Sequence, residues 1–316
     1  MIIEPSSLDE LKEILTSANT GGKKVTGIHL DRLNRMVAHA PADMTVTVEA
    51  GIALARLQAE LARERQWLPV DPPNPEHLTI GALLATNASG PRRFGHGPIR
   101  DHLIGIKVVL ADGRIIKSGG RVVKNVAGYD LAKLFVGNHG SLGVIVEATF
   151  KLRPLPEAEQ FVQAPCERWE YCDRMIDAVL ESELTPVVLD LHNAPSRGTP
   201  HGSVGALVLG IAGSPEEVAW QRARANELGW QETATLDYEK DFWNDSPRPR
   251  CISVLPSRVV ETIRGLGEVP FVARAGNGVI YYRGGPQPAK NELPVKLMRR
   301  VKEAFDPNHV LPDLPR

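Results

Sequence analysis

The sequence predicts an α+β protein built in two units, and three observations carry that prediction. Apolar residues at helical spacing are interleaved with short alternating strands. Glycine and small polar residues crowd into residues 79–152. After Leu152-Arg153-Pro154-Leu155-Pro156 the pattern changes to strands and helices with no glycine-rich loop, which sets a boundary between 1–153 and 154–316. Helices layered on an antiparallel sheet are expected beyond it.

Residues 7–20 (SLDELKEILTSANT) have Ser6 and Ser7 as caps and apolar residues at Leu8, Leu11, Ile14 and Leu15, one face of a helix. Gly21-Gly22 ends that helix and 23–27 reads as a short strand. Residues 45–49 (TVTVE) alternate like a strand, and Gly51 breaks it before a helix over 53–65. Pro69, Pro72, Pro73 and Pro75 then hold the chain extended. Thr79 is an N-cap for a short helix of small residues running to Asn87. Strands over 104–110 and 114–117 are joined by the turn Ala111-Asp112-Gly113-Arg114. A helix over 129–136 and a long strand over 143–152 close the first unit. In the second, helices are expected at 169–181, 215–228 and 257–264, with strands at 186–191, 204–211, 251–254, 270–273 and 278–282. Residues 294–305 form a final helix before a proline-punctuated tail.

At 316 residues, 42% hydrophobic and 24% charged, the chain has the makings of a folded core, which excludes wholesale disorder. A net charge of -1 gives no reason to expect nucleic acid or an anionic membrane as partner. The first residues, MIIEPSSLDELKE, are acidic and lack a basic-then-apolar leader. No apolar run approaches the roughly 20 residues of a spanning helix. A cytoplasmic protein without direct membrane insertion is the expectation. Cys166, Cys172 and Cys251 show no CxxC spacing, so the expectation is three ordinary thiols and no metal.

The glycine-rich segment suits a backbone pressed against a large anionic ligand. Thr79-Ile80-Gly81-Ala82 offers a helix start with N–H donors, followed by the polar run Asn87-Ala88-Ser89-Gly90. Gly140-Ser141-Leu142-Gly143 is a second close-approach turn leading into a strand. Each glycine alone reads equally as a tight turn in a crowded fold.

Residues 71–152 resemble the FAD-binding domain of the vanillyl-alcohol oxidase/p-cresol methylhydroxylase superfamily. Within it they are most similar to the FAD-binding accessory subunits of bacterial glycolate oxidases. The residues that carry the likeness are Asp71-Pro72-Pro73, Thr79-Ile80-Gly81, SGPRR from Ser89, GPIRD from Gly97, GGRVVKNVAGYD from Gly119 and GSLGVIVE from Gly140. The resemblance implies a two-subdomain FAD-binding domain followed by an α+β cap domain with an antiparallel sheet. It implies non-covalent FAD lined by Pro72, Gly81, Ala82, Thr86, Asn87, Gly90 and Gly97, with Gly140, Gly143 and Ile145 at the adenosine end. Arg92 and Arg93 are candidates for a phosphate or a substrate carboxylate, or else a solvated surface pair. Lys124, Asn125 and Asp130 would organise their loop rather than react.

The sequence departs from the family's pattern in three places. The glycine-rich loop that usually wraps the pyrophosphate after the strand ending at Gly27 is shortened to Ile28-His29-Leu30-Asp31-Arg32-Leu33-Asn34. His29 therefore reads as a surface or loop histidine rather than a flavin attachment. The histidine-rich elements of catalytic members are replaced by Val272-Ala273-Arg274-Ala275-Gly276-Asn277-Gly278, where Arg274 faces the flavin or makes a structural salt bridge. The closing FDP segment runs into Leu311-Pro312-Asp313 instead of an asparagine-proline-glycine turn. His192, His201 and His309, set among prolines, asparagines and glycines, are expected in solvent. No catalytic set emerges from these residues.

Two functions follow from the resemblance. One is an accessory FAD subunit of a glycolate oxidase complex, partnered by a catalytic FAD subunit and an iron–sulfur subunit, and peripheral to the inner membrane only through them. The other is a flavin-free structural or assembly subunit on the same scaffold. A self-sufficient 2-hydroxy acid dehydrogenase would need turnover by the isolated chain.

Overall fold

The computed structural model describes residues 1–120, 131–194, 202–287 and 295–314. The first helix, α1 (Leu8–Thr20), starts where Ser7 Oγ accepts the Glu10 N–H at 3.1 Å and the Glu10 carboxylate reaches back to Ser6. Its apolar stripe of Leu11, Leu15 and Ala18 is buried. Strands β1 (Ile2–Ile3) and β2 (Gly27–Ile28) precede and follow it and pair in parallel.

The next elements are β3 (Met36–Ala40), β4 (Thr45–Glu49), α2 (Leu54–Ala62), β5 (Gln66–Trp67), α3 (Ile80–Thr86), α4 (Arg93–His96) and α5 (Ile99–His102). They continue with β6 (Leu103–Val109), β7 (Ile115–Gly119), α6 (Ala132–Phe135), β8 (Val144–Lys151) and β9 (Arg153–Pro154). Five of the strands form an antiparallel sheet in the order β3-β4-β8-β6-β7. Its central strands β4, β8 and β6 bury Val46, Val48, Val146, Ala148, Phe150 and Val108 in one core with Leu54, Leu57, Ile80, Leu83 and Leu84 of α2 and α3.

Beyond β9 come β10 (Ala158–Cys166), α7 (Trp169–Leu180), β11 (Val188–His192), β12 (Gly205–Gly213), α8 (Pro215–Glu227), β13 (Glu232–Thr233) and α9 (Asp237–Asn244). After them come β14 (Arg250–Ser253), α10 (Val259–Leu266), β15 (Phe271–Arg274), β16 (Val279–Tyr282) and α11 (Val295–Phe305). These strands form a seven-stranded antiparallel sheet, β13-β10-β12-β11-β15-β16-β14. Alternation along β11 and β12 sends Leu189, Leu191, Leu207 and Leu209 into a core with Met175 and Ile176 of α7 and Val260 and Ile263 of α10. The opposite face, with Val208 and Val272, packs against Tyr238 and Phe242 of α9.

Most sequence expectations lie within a few residues of the observed elements. Among the elements of five or more residues, three were not expected. β3 is a short edge strand, and β10 begins with polar residues and contains Pro165, so neither shows clean alternation. α9 (DYEKDFWN) is mostly polar, and Tyr238 and Phe242 are its buried anchors at i and i+4.

The C-terminal segment returns to the first core: Val301, Phe305, Val310 and Leu311 pack there, and the Phe305 ring meets Phe135 edge-on at 5.7 Å. Buried Lys302 fixes this return. Its Nζ lies 2.5 Å from Asp306 Oδ2, 2.8 Å from the Ser141 carbonyl and 3.1 Å from the Pro312 carbonyl. Asp306 in turn accepts the N–H groups of Val310 and Leu311. Replacing the ammonium leaves Asp306 buried and short of its counter-charge. Lys302→Met is expected to lower the free energy of urea unfolding by about 3–5 kcal/mol. The double variant Lys302→Met/Asp306→Leu is expected to recover part of that loss. No recovery would assign the effect to packing instead of charge.

Candidate functional site

The residues expected to line a flavin fall into two groups. The first group is consumed by packing. All the N–H groups at the start of α3 already have protein acceptors: Ile80 N–H donates to Ile52 O, Gly81 to Ala50 O, Ala82 to Thr79 Oγ1 and Leu83 to Thr79 O. The expected phosphate cradle at Thr79-Ile80-Gly81-Ala82 is therefore closed by the chain itself. A Cβ at Gly81 would sit 3.2 Å from Ala50 Cβ, and one at Gly90 would sit 1.8 Å from Asp71 O, so these glycines serve helix–strand and backbone contacts. A Cβ at Gly143 would strike Val108, while Pro72 and Ile145 are buried within the first half of the chain. A Cβ at Gly97 would meet Asp101 Oδ2, and partly buried Ala82 takes the Thr86 hydroxyl on its carbonyl.

The second group forms a wall. Asn87 caps α3 in the left-handed conformation, with φ 51 and ψ 38. Against it runs the turn from Gly137, whose N–H donates to Leu84 O, through His139, whose N–H donates to Ala85 O. Gly140 has φ +76, donates its N–H to Asn138 Oδ1, and has open space where a Cβ would be. Two buried polar atoms on these adjoining segments have no partner: Asn87 Oδ1 and Asn138 Nδ2. One accepts and the other donates. Asn87 thus adjoins the turn at Gly137, and Asn138 lies on that turn, next to Gly140, without having been singled out in the sequence. The rest of the long motif, including Lys124, Asn125 and Asp130, lies outside the described residues.

On the opposite side, β2 passes directly into Leu30 and Leu33, whose carbonyls would lie 1.8 and 2.8 Å from a Cβ on Gly51. No residue between Gly27 and Met36 has positive φ, so this segment presents no wrapping glycine loop. His29 is exposed and donates its N–H to Ile3 O.

The paired arginines part ways. Arg92 is held by two carboxylates, through Nη1 to Asp71 at 3.0 Å and through Nε and Nη2 to Glu159 at 2.8 and 2.5 Å. It also lies over the Phe161 ring at 5.4 Å. As an anion-binding candidate it is corrected to a bridge between Asp71 and β10. Arg93 makes one contact at 3.3 Å to Ser89 Oγ among the described residues and keeps its charge free for a ligand. Next to it, Phe94 packs so tightly on Gly276 that a Cβ there would lie 2.2 Å from the ring, and Gly95 N–H donates to Val187 O. These contacts dock α4 on the second sheet.

Under α9 lies a buried polar cluster. Arg274 lies 2% exposed and bonds Asp190 at 2.5 Å and both oxygens of Glu239 at 2.7 Å. Burial opposes the Arg274 charge, and Asp190 and Glu239 more than reverse that, so its pKa is raised. Burial pushes the Asp190 carboxyl up to about 6, with Arg274 opposing and Glu239 adding. Tyr238 donates to Asp190 at 2.7 Å and stacks on His192 at 4.1 Å. His192, expected in solvent, is 1% exposed because alternation along β11 puts it on the same face as Asp190. His309 is exposed, and His201 lies outside the described residues. Between the alternatives for Arg274, the ion pair is the one observed. Among the described residues, no group of His, Cys, Asp and Glu has the arrangement of a metal site, and the three cysteines are free.

Residues 16–119 match the protein family described as FAD binding domain. This part of the chain is therefore similar to FAD-binding domains. The chain is 29% identical over 214 residues to glycolate oxidase subunit GlcD of Bacillus subtilis, which covers 62% of this chain and 46% of that protein. It is 40% identical over 140 residues to glycolate oxidase subunit GlcE of Escherichia coli, covering 43% and 40% of the two chains. A cytochrome-type mitochondrial D-lactate dehydrogenase of Arabidopsis thaliana is 33% identical over half of this chain and 31% of its own length. The chain spans less than half the length of these relatives. The structure superposes on alkyldihydroxyacetonephosphate synthase with a TM-score of 0.70 at 17% identity, covering 98% of this chain and 76% of the other. That likeness shows the fold alone, an α+β architecture shared with that protein.

FAD is the cofactor of such a domain, and the wall of Asn87, Asn138 and Gly140 fits part of it. The orphaned acceptor and donor suit a heteroaromatic edge that presents a donor and an acceptor, as the flavin ring and adenine both do. The N–H groups of Ile80 to Leu83 are all taken by the chain itself, so the fit is one-sided.

Two outcomes are expected. Arg92→Ala strands the carboxylates of Asp71 and Glu159; calorimetry should show a loss of about 2–3 kcal/mol, below a fully buried pair because these side chains keep some solvent contact. The second concerns His192, whose pKa falls from 6.5 to about 4 through burial. The folded chain keeps it neutral while the unfolded chain takes up a proton below 6.5. Its contribution to stability is present above pH 6.5 and lost as pH falls toward 4, by roughly 3 kcal/mol. In His192→Phe, which keeps the ring stack, chemical unfolding across that window should show a correspondingly smaller acid loss.

Proposed function

We propose that this chain is the FAD-binding accessory subunit of a glycolate (2-hydroxy acid) oxidase complex that oxidises glycolate to glyoxylate. The observation that carries the reading is the contrast between two places. The FAD-binding domain keeps unpaired polar atoms at Asn87 and Asn138, whereas on the second sheet Arg274 is already occupied by Asp190 and Glu239. A free cation for the carboxylate of a reacting hydroxy acid is one requirement of catalysis, and here the Arg274 charge is committed to two carboxylates. Similarity to glycolate oxidase subunits and to D-lactate dehydrogenases supports the substrate class.

When bound, FAD would supply redox capacity to the complex. The chain's own residues would hold it: Asn87 Oδ1 would accept a hydrogen bond from it and Asn138 Nδ2 would donate one, with open space at Gly140. Arg93 attracts an anion to the space in front of α4. A catalytic FAD subunit performs the oxidation in this reading, and electrons leave through an iron–sulfur subunit. Units of 1–153 and 154–316 are part of the proposal, with α11 and the tail completing the first. No helix among the described residues is long and apolar enough to cross a membrane. A cytoplasmic position, attached to the inner membrane through partners, is the location proposed.

A second reading has its own support. The closed α3 start and the direct contact of Leu30 and Leu33 with Gly51 remove donors that a dinucleotide would use. On that ground the alternative is a flavin-free structural or assembly subunit. Co-purification from the native source followed by an absorbance spectrum separates the two. Accessory FAD binding predicts a flavin spectrum or uptake of added FAD, and Asn138→Ala should weaken uptake by about tenfold, the cost of one lost hydrogen bond to a buried partner. A chain that neither carries nor takes up FAD is the structural subunit.

A further inference from the structure

The cluster under α9 has more polar capacity than its contacts use. Arg274 Nε, Asp190 Oδ1 and His192 Nδ1 are buried and have no partner, and their residues are 2%, 0% and 1% exposed. They share one face, because Asp190 and His192 alternate on β11 and Asp190 pairs directly with Arg274 across β15. Native structures seldom leave three such atoms unsatisfied in one place, and each calls for a ligand or a role.

The two carboxylates on Arg274 are not equivalent. Asp190 is fixed in a central strand and also accepts the Tyr238 hydroxyl. Glu239 arrives on an eight-residue helix at the solvent side of the cluster, its side chain 14% exposed, and is steadied by Trp243 Nε1 at 3.0 Å. It grips the guanidinium with both oxygens, the geometry by which arginine holds a free carboxylate.

We propose that Arg274 and its neighbours form a carboxylate-binding site that Glu239 fills from within the chain, and that a small 2-hydroxy carboxylate displaces it. The exchange leaves the buried charge unchanged, one carboxylate for another, so it avoids the cost of exposing Arg274 to a lone Asp190. A hydroxyl next to the incoming carboxylate donates to Asp190 Oδ1 or accepts from Arg274 Nε, which Glu239 leaves unsatisfied. That gives 2-hydroxy acids an advantage over plain carboxylates. Arg93 supports entry: crowding raises the pKa of the Cys251 thiol and the Tyr281 hydroxyl on this sheet face, and Arg93 and Arg274 both pull each the other way. The role proposed for the site is binding, with no chemical step. It rests on the reading above only for the choice of glycolate as probe.

The test is a titration of the purified full chain with glycolate, followed by tryptophan fluorescence. Trp243 reports α9, since its ring packs on Tyr281 at 5.0 Å and bonds Glu239. A saturable change that disappears in Trp243→Phe is expected, with acetate about tenfold weaker. Glu239→Gln, which removes the internal charge, and Glu239→Asp, which retracts it, should each tighten glycolate, the former by about tenfold or more, because less of the chain is held closed. Arg274→Met should abolish the change. If either Glu239 variant, folded by circular dichroism, binds glycolate no more tightly than the parent chain, the proposal is overturned. FAD uptake is read on the same samples and depends on Asn87 and Asn138, so failure of the flavin reading shows separately.

Discussion

The guanidinium of Arg92 ties the first part of the chain to the second sheet, and α4 is docked beside it. Asp71, within the proline-rich stretch, and Glu159 on β10 both close on the same side chain. Planar and multidentate, arginine can satisfy two carboxylates in fixed directions where lysine would offer a single mobile charge. The backbone supports the same alignment, since Gly95 and Gly276 permit approaches that any side chain would block. With α4 so docked, the neighbouring Arg93 is left to face the second sheet with its charge uncommitted.

The two polar regions of the molecule then have opposite characters. On the first half, the helix start that glycine and threonine advertise is spent on Ala50, Ile52 and Thr79, while unpaired atoms remain at the far end of the same helix. On the second sheet, a full set of charged groups is present and mutually paired under α9. Whether a polar group serves a ligand or the fold is decided by which partner reaches it first. An internal partner comes without the entropy of association, so it prevails wherever the chain can supply one.

The C-terminal return shows the same economy at a distance in sequence. Lys302 and Asp306 satisfy each other and the carbonyl of Ser141, which ties the tail to the turn carrying Asn138 and Gly140. The wall proposed to hold FAD thus depends on residues more than 160 positions away. Pro307 and Pro312, read from the sequence as punctuation of a loose tail, flank a well-packed segment in which Val310 and Leu311 are buried.

Much of the fold was legible because its signals are local. Ser7 and Thr79 mark helix starts by capping, apolar spacing marks α1, α7 and α10, and alternation marks β4, β11 and β12. The motif strings from Ser89 and Gly119 were enough to suggest the resemblance to FAD-binding domains that the family match over residues 16–119 supports. What the sequence could not reveal are contacts between segments far apart in the chain. A glycine string is the same whether its N–H groups meet a phosphate or the carbonyl of Ala50, and Arg92 and Arg93 are adjacent and chemically identical. Only the tertiary structure separated them, by delivering Asp71 and Glu159 to one and leaving the other free. It likewise buried His192 beneath α9, because hydrogen bonding and burial are settled by three-dimensional proximity, which local pattern does not encode.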